Sequence, residues 1–340
     1  MKKASMKASK TEEIISLDLK DRKILFELDK DSRQSLPKIG KKVGLSQEVV
    51  YHRISKLQKQ GVIKRFQTIV AISRIGYIAP KLYVQFQDIT EEKANHIYKY
   101  LLENKKVFWF GICQGRWDLI IAYWSRDSFE FGKLLDEFLN KFSSYILERE
   151  VTIGKNTIQY NRRWFYHDRL EPKEVDFGSM LESYPIDETD NEILKYLGNN
   201  ARLSVVELAK LIKKSVNVVH YRLRNLEKNK IIAGYKFALD THKIGYETCK
   251  SFIYFKNITE ERRKKLIAFC KMHPDIINIV LCVGPWDMEI EFEVKNFDQF
   301  YDLMNEIKEK FQDIIKNYES VVFKDEPKQS FMPECYPQLK

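Results

Sequence analysis

LDLKDRKILFELDKDSRQSLPKIGKKVGLSQEVVYHRISKLQKQGVIKRF, residues 17–66, returns at residues 186–235 as IDETDNEILKYLGNNARLSVVELAKLIKKSVNVVHYRLRNLEKNKIIAGY. The offset is a constant 169 residues, Asp18 matching Asp187 and Arg53 matching Arg222. Within each copy the apolar residues recur at helical spacing, three times over. Asp18 is a good N-cap before Leu19, Ile24, Leu25 and Leu28. Ser35 then opens a second helix, with Pro37 in its first turn and Leu36, Ile39 and Val43 inward. Gly44 supplies a stop, and Ser46 caps a third helix with Val50, Ile54 and Leu57 on one face, ending at Gly61. Copy two repeats this with Ile193, Leu194 and Leu197, then Val205, Leu208 and Ile212, then Val219, Leu223 and Leu226. It departs at Lys213 and Lys214, which replace Gly44 and Leu45 and remove the residue that makes a positive φ inexpensive.

The repeat continues without a gap through residues 18–153 and 187–322. Gly76/Gly245, Tyr77/Tyr246, Cys113/Cys282, Gly115/Gly284, Trp117/Trp286 and Asp118/Asp287 match near its far end. A solenoid unit spans only about 20–50 residues. A period this long therefore describes two copies of a module able to fold by itself. After each helical trio the pattern predicts β, α, β, β, α, β. In copy one these are a strand near 80–88, a helix over 90–104, strands at 106–114 and 117–124, a helix over 127–142 and a strand at 145–153. Thr90 and Thr259 are N-caps with acids in the first turn. Such a ferredoxin-like unit leaves one sheet face bare of helices and in need of a partner.

The expected fold is α+β: two winged helix-turn-helix domains, each followed by a βαββαβ effector domain. The expected boundaries are 16–77, 78–153, a linker at 154–184, then 185–246 and 247–323. The tail beyond 324 carries Pro327, Pro333 and Pro337 and is expected to be irregular. Arg162, Arg163 and Trp164, with Tyr166 and His167, are expected to pack on a domain surface. Clamping of a phosphate is the sharper but less favoured alternative.

The chain has 340 residues, 44% hydrophobic and 13% aromatic, with a formal net charge of +10. That composition supports folded cores and favours polyanionic partners, nucleic acid first. The five cysteines form no C-x-x-C pair and do not cluster with histidine, so no metal site or cofactor is expected. Sparse, odd-numbered cysteine suits a reducing cytoplasm. Cys113 and Cys282 read as small buried hydrophobes rather than a redox pair. The basic, polar start lacks a signal-peptide core, and no run approaches the ~18 apolar residues of a membrane span.

Two short helices, a tight turn and a basic third helix form the helix-turn-helix arrangement, whose third helix enters the major groove of duplex DNA. Its outward N-terminal residues read bases and its flanking cations bind phosphates. In copy one the outward set is Ser46, Gln47, Glu48, Tyr51 and His52, with Arg53, Lys56 and Lys59 as phosphate ligands. In copy two it is Ser215, Val216, Asn217, His220 and Tyr221, with Arg222 and Arg224. Ser46–Arg65 and Ser215–Lys236 each carry a net +4. A charge run alone is more often a solvated face; two such runs, each on the third helix of a trio, favour DNA.

These stretches resemble the DNA-binding domain of the Lrp/AsnC (feast/famine) transcription regulators, including the ALDTHKIGY exit of copy two. The βαββαβ part resembles that family's effector-binding domain. Gly115–Asp118 and Gly284–Asp287 stand where the family has a Gly-x-Tyr-Asp turn, with Trp117 and Trp286 in place of tyrosine. The resemblance implies sheet-to-sheet pairing and a small amino-acid effector near Gly115, Trp117, Asp118, Gly284, Trp286 and Asp287. The residues alone give the blander reading of turn, core and cap. The repeat further suggests an intrachain pseudo-dimer, with homo-oligomerisation between chains equally allowed.

One enzyme class is built from two such halves, the siroheme decarboxylases, which use His and Arg at tetrapyrrole carboxylates. Here the corresponding stretches read PKLYVQF and CKSFIYF, without histidine. The preferred expectation is therefore a DNA-binding regulator without catalytic residues, and the decarboxylase is the alternative.

Overall fold

The computed structural model describes residues 14–166, 172–177 and 183–332. The first half runs α1 (Leu19–Lys30), α2 (Leu36–Val43), α3 (Gln47–Lys59), β1 (Ile63–Val70), β2 (Pro80–Phe86), α4 (Glu91–Glu103), β3 (Val107–Gly115), β4 (Leu119–Tyr123), α5 (Ser128–Phe142) and β5 (Ile146–Tyr160). A short strand β6 (Glu174–Asp176) follows in the connection. The second half repeats the order as α6 (Glu188–Asn199), α7 (Val205–Leu211), α8 (Val216–Lys228), β7 (Ile232–Leu239), β8 (Glu247–Phe255), α9 (Glu260–Met272), β9 (Ile276–Val283), β10 (Met288–Val294), α10 (Phe297–Lys310) and β11 (Ile315–Gln329). His167 and Cys335 lie outside the described residues.

The helical trios form from the residues that the spacing selects. Ile24, Leu25, Leu28, Ile39, Val43, Val50, Ile54 and Leu57 share one core, and their counterparts in copy two share another. Leu19 is the exception: it stands on the outer side of the first turn and is exposed. Asp18 caps α1 through the Asp21 amide at 2.8 Å, and Ser46 caps α3 through that of Val49 at 3.3 Å. The turn before α3 places Gly44 at φ 67°. Its counterpart Lys213 holds the same left-handed region at φ 54°, so copy two makes the turn without glycine.

The wings join the two trios. β1 pairs with β7 as an antiparallel ribbon in which Phe66 faces Phe237. Each first helix packs on the other copy's strand, α1 on β7 and α6 on β1. The exchange is reciprocal in its hydrogen bonds. Ser32 donates its amide to the Tyr235 carbonyl at 3.0 Å, and Ala201 donates to that of Phe66 at 3.2 Å. Arg33 donates to the Leu203 carbonyl at 2.8 Å, and Arg202 to that of Ser32 at 2.6 Å. The paired arginines thus fix the two helix-turn-helix units to one another.

Below the ribbon, the two ferredoxin-like sheets close on each other. Their order is β5-β2-β4-β3 in one half and β11-β8-β10-β9 in the other. β5 pairs with β2 through its first half, then continues onto β9 from Ile153 to Gln159. β11 pairs with β8, then continues onto β3 from Val321 to Gln329. Eight antiparallel strands therefore form a closed ring with no free edge, and β6 extends the far end of β5. This corrects two expectations. The strand does not stop at 153 but runs to Tyr160, and the tail is regular to Gln329, because the edge of the opposite sheet offers unpaired backbone groups to both segments. The bare sheet faces meet inside the ring, where Tyr83, Trp117 and Ile120 pack against Phe252 and Trp286.

Candidate nucleic-acid interface

The outward residues of the two third helices are solvent-facing. Ser46, Gln47, Glu48, Tyr51, His52, Lys56 and Lys59 are exposed on α3 and its cap, as are Ser215, Asn217, His220, Tyr221 and Arg224 on α8. Tyr51 and Tyr221 are large aromatics left 57% and 64% exposed. Arg53 and Arg222, expected as phosphate ligands, are partly buried and engaged within the fold. The Arg53 guanidinium contacts the Asp18 and Asp21 carboxylates at 2.7 Å each. Arg222 repeats this with Asp187 at 2.7 Å and Asp190 at 3.4 Å. Each pins the third helix to the start of the first, so both arginines position the reading helix. The backbone amide of Asp21, helped by the Arg53 side chain, holds the Asp18 carboxyl below its usual range against the opposing effect of burial.

The six turn residues sit at the closure of the ring. A Cβ on Gly115 would meet the Ser320 carbonyl oxygen at 2.5 Å, and one on Gly284 that of Val151 at 2.8 Å. Each glycine therefore lets the opposite half's long strand pass against the turn. Asp118 accepts from the Phe86 amide at 2.7 Å and Asp287 from that of Phe255 at 2.8 Å. Trp117 and Trp286 are each 1% exposed, and their ring centroids lie 6.3 Å apart in the inter-sheet core. Cys113 is buried in this same core, and no described cysteine is in a disulfide.

Two buried ionic clusters were not anticipated. On β10, Glu289, Glu291 and Glu293 point into the ring, where copy one has Ile120, Ala122 and Trp124. Glu289 is held by Lys81 at 2.7 Å and Lys250 at 3.2 Å, and accepts from the Tyr83 hydroxyl. Burial would raise its carboxyl, but the two ammonium groups outweigh burial and hold it well below the ordinary range. Glu293 and Asp29 both bind Arg162, at 2.8 Å each, and Lys236 stands 3.4 Å from Asp29. The Trp164 indole donates to Glu293 at 2.8 Å. Arg162 and Arg163 are thus buried, not laid on a surface. The sequence held one signal for the first cluster: the strict alternation in Met288-Glu289-Ile290-Glu291-Phe292-Glu293-Val294.

The duplicated trio, the paired wings and the exposed third helices define a winged helix-turn-helix protein with two reading heads. The family model for winged helix-turn-helix DNA-binding domains matches residues 17–64 and again 186–233. An HTH-type transcriptional regulator of Pyrococcus horikoshii, FL11, is 25% identical over 126 residues, 36% of this chain and 82% of the relative. A second, uncharacterised HTH-type regulator of that organism is 32% identical over 144 residues, 42% of this chain and 90% of the relative. One copy of the repeat thus accounts for nearly a whole relative. The chain belongs to the helix-turn-helix transcription regulators of the Lrp/AsnC type, in duplicated form. It is a DNA-binding transcription regulator. The fold of the full chain is shared with the siroheme decarboxylase NirDL, at 11% identity, covering 92% of this chain and 94% of that one with a TM-score of 0.61. No helix among the described residues is long and apolar enough to cross a membrane.

Proposed function

We propose that the protein reads two unlike half-sites on duplex DNA, one with each third helix, under the influence of a small effector in the cytoplasm. The observation that carries this reading is the pair of exposed recognition surfaces at equivalent positions. Gln47, Glu48, Tyr51 and His52 stand where copy two has Val216, Asn217, His220 and Tyr221. Side chains at the N-terminal part of a recognition helix select bases, so unlike sets select unlike sequences. Lys56, Lys59 and Arg224 are the phosphate ligands. The six turn residues lie where the two sheets meet, which suits them to transmit an effector's influence from one half to the other.

Affinity is expected to fall steeply with salt, by a slope of about −0.9 per phosphate neutralised. Titration of a mixed duplex at several salt concentrations tests the class. Binding that ignores salt, or no binding at low salt, refutes it. Selection of bound sequences from a random pool tests the reading of unlike half-sites.

The likeness to NirDL along the full chain motivates a second reading, a decarboxylase without DNA binding. The NirDL structure with an iron-uroporphyrin III analogue is matched equally well, with a TM-score of 0.60. The chemistry inside the ring of this chain argues against it. The inward cations Lys81, Lys250 and Arg162 are already paired with Glu289, Glu291 and Glu293, and Glu326 adds a further carboxyl, whereas a tetrapyrrole polycarboxylate needs cations of its own. Incubation with siroheme, followed by the product mass, decides between the two: loss of two carboxyl groups establishes the enzyme.

A further inference from the structure

Between the halves lies a cavity of about 170 Å³, floored by β3 and β4 on one side and β8–β10 on the other. Its walls divide by chemistry. Trp109, Trp124 and Phe108 give an aromatic face, and Phe108 stacks on Trp124 with centroids 4.1 Å apart. The lining also holds acceptors: the Glu291 and Glu326 carboxyls and the amide oxygens of Gln159 and Asn278. The latter two are buried without a hydrogen-bond partner. Of the cations at the cavity, Lys81 is engaged by Glu289, and Lys250 is shared between Glu289 and Glu291 at 3.2 and 3.3 Å. Glu326 is left with the Trp109 indole as its hydrogen-bond donor, at 2.7 Å.

The pseudo-twofold supplies an internal comparison. The equivalent place in the other half is filled by the chain itself. At an offset of 169, Phe331 of the cavity wall corresponds to Arg162, and Trp124 corresponds to Glu293. There the Arg162 guanidinium enters the interior, satisfies Asp29 and Glu293, and lies 5.9 Å from the Phe237 ring centre. One half of the molecule thus answers its buried carboxylates with a planar cation stacked near an aromatic ring. The other half offers carboxylates and aromatic rings around open space.

We propose that this cavity binds a small organic cation, a protonated amine or amidine on an apolar body about the size of one aromatic ring. A cavity of 150 Å³ accepts benzene, so about 170 Å³ takes a ring with one or two further heavy atoms. The ring would lie against Trp109 and Trp124, and the cationic N–H groups would meet Glu326, Glu291 and the two free amide oxygens. Such a ligand brings donors to the two amide oxygens and a charge to Glu326, because Lys81 and Lys250 are taken up by Glu289 and Glu291. Burial and the neighbouring Glu291 push the Glu326 carboxyl up to about 7, which matches a group awaiting a cation. The regulatory meaning of the site rests on the DNA-binding reading; the binding itself does not.

The test is calorimetry of the full chain with benzylamine, with neutral benzyl alcohol of the same shape, and with benzoate. Benzylamine is expected to bind at least about tenfold more tightly than benzyl alcohol, because a charge-assisted hydrogen bond is lost in the alcohol, and benzoate is expected not to bind. Glu326→Gln should weaken benzylamine by a similar factor. Gly154→Leu should abolish binding by filling the space. A Cβ there meets nothing closer than Val280 at 3.7 Å, so the backbone tolerates the change. Equal affinity for amine and alcohol, no benzylamine binding at millimolar concentration, or indifference to Gly154→Leu would each overturn the proposal. DNA affinity is measured separately with and without benzylamine. An unchanged value refutes the regulatory role alone, and absent DNA binding refutes the regulator reading alone.

Discussion

At the scale of single residues, buried charge sets the clearest expectations. Asp29 and Glu293 are 0% and 2% exposed, and Arg162 is their common partner. Removing one member of such a group leaves uncompensated charge inside, which costs about 3–5 kcal/mol. Arg162→Met is therefore expected to lower unfolding free energy by that amount in denaturant titrations. The double change Arg162→Met with Glu293→Gln should recover part of it. Glu326 sets a pH expectation. Its folded value of about 7 lies above the ordinary 4.5 because of burial and Glu291, with the Trp109 indole, Lys250 and Lys64 opposing. A carboxyl raised on folding stabilises below its unfolded value, and that stability is lost as pH rises from about 4.5 through about 7. The residue is only half-buried as a whole, so the loss is on the order of 1–2 kcal/mol rather than the full linkage value. Glu326→Gln should flatten the fall between pH 5 and pH 8; an unchanged slope would assign it to other groups. The pairing of these groups was not legible in the sequence. Asp29 and Arg162 are 133 positions apart, and only the fold brings them together.

At the scale of elements, local signals read correctly wherever the partner lay nearby. α1 and α3 begin at their Asp18 and Ser46 caps, and the positions that the spacing selects, Leu19 excepted, pack into the core. The unlike turn is testable. Gly44 and Lys213 share a left-handed backbone that costs a side-chain-bearing residue about 1–2 kcal/mol. Gly44→Lys is expected to lower thermal stability, and Lys213→Gly to leave it unchanged or raise it slightly, since glycine also loses more chain entropy. A loss from Lys213→Gly would mean that its side chain does more than complete a turn. The ends of β5 and β11 were illegible for the opposite reason. Their second halves pair with strands of the other copy, and strand pairing at that distance leaves no local periodicity. The ion pairs of Arg53 and Arg222 were illegible similarly, because a cation on a third helix looks the same whether or not it meets the first helix's carboxylates.

At the scale of the whole molecule, duplication has fixed what two separate chains would leave to association. The wings, the reciprocal Arg33 and Arg202 contacts and the crossed long strands hold both reading heads at one spacing within a single chain. Two identical reading heads favour a palindrome, because a two-fold axis in the protein imposes one on the site. Here the axis is broken on the reading surface and again inside, where one half is plugged by Arg162 and the other keeps a cavity. Lys56 and Lys59 are expected to contribute phosphate contacts without selecting sequence. Lys56→Ala should reduce the salt slope by about 1 and weaken all sequences alike. Tyr51→Ala should change which bases are preferred at one half-site only, and Tyr221→Ala those at the other. The decisive construction places the Gln47, Glu48, Tyr51 and His52 set onto α8 at positions 216, 217, 220 and 221. Selection from a random pool should then return a palindrome built from the first half-site, where the unaltered chain returns two unlike halves. If the altered and unaltered chains select the same sequence, α8 does not read DNA, and the second head serves only to brace the first.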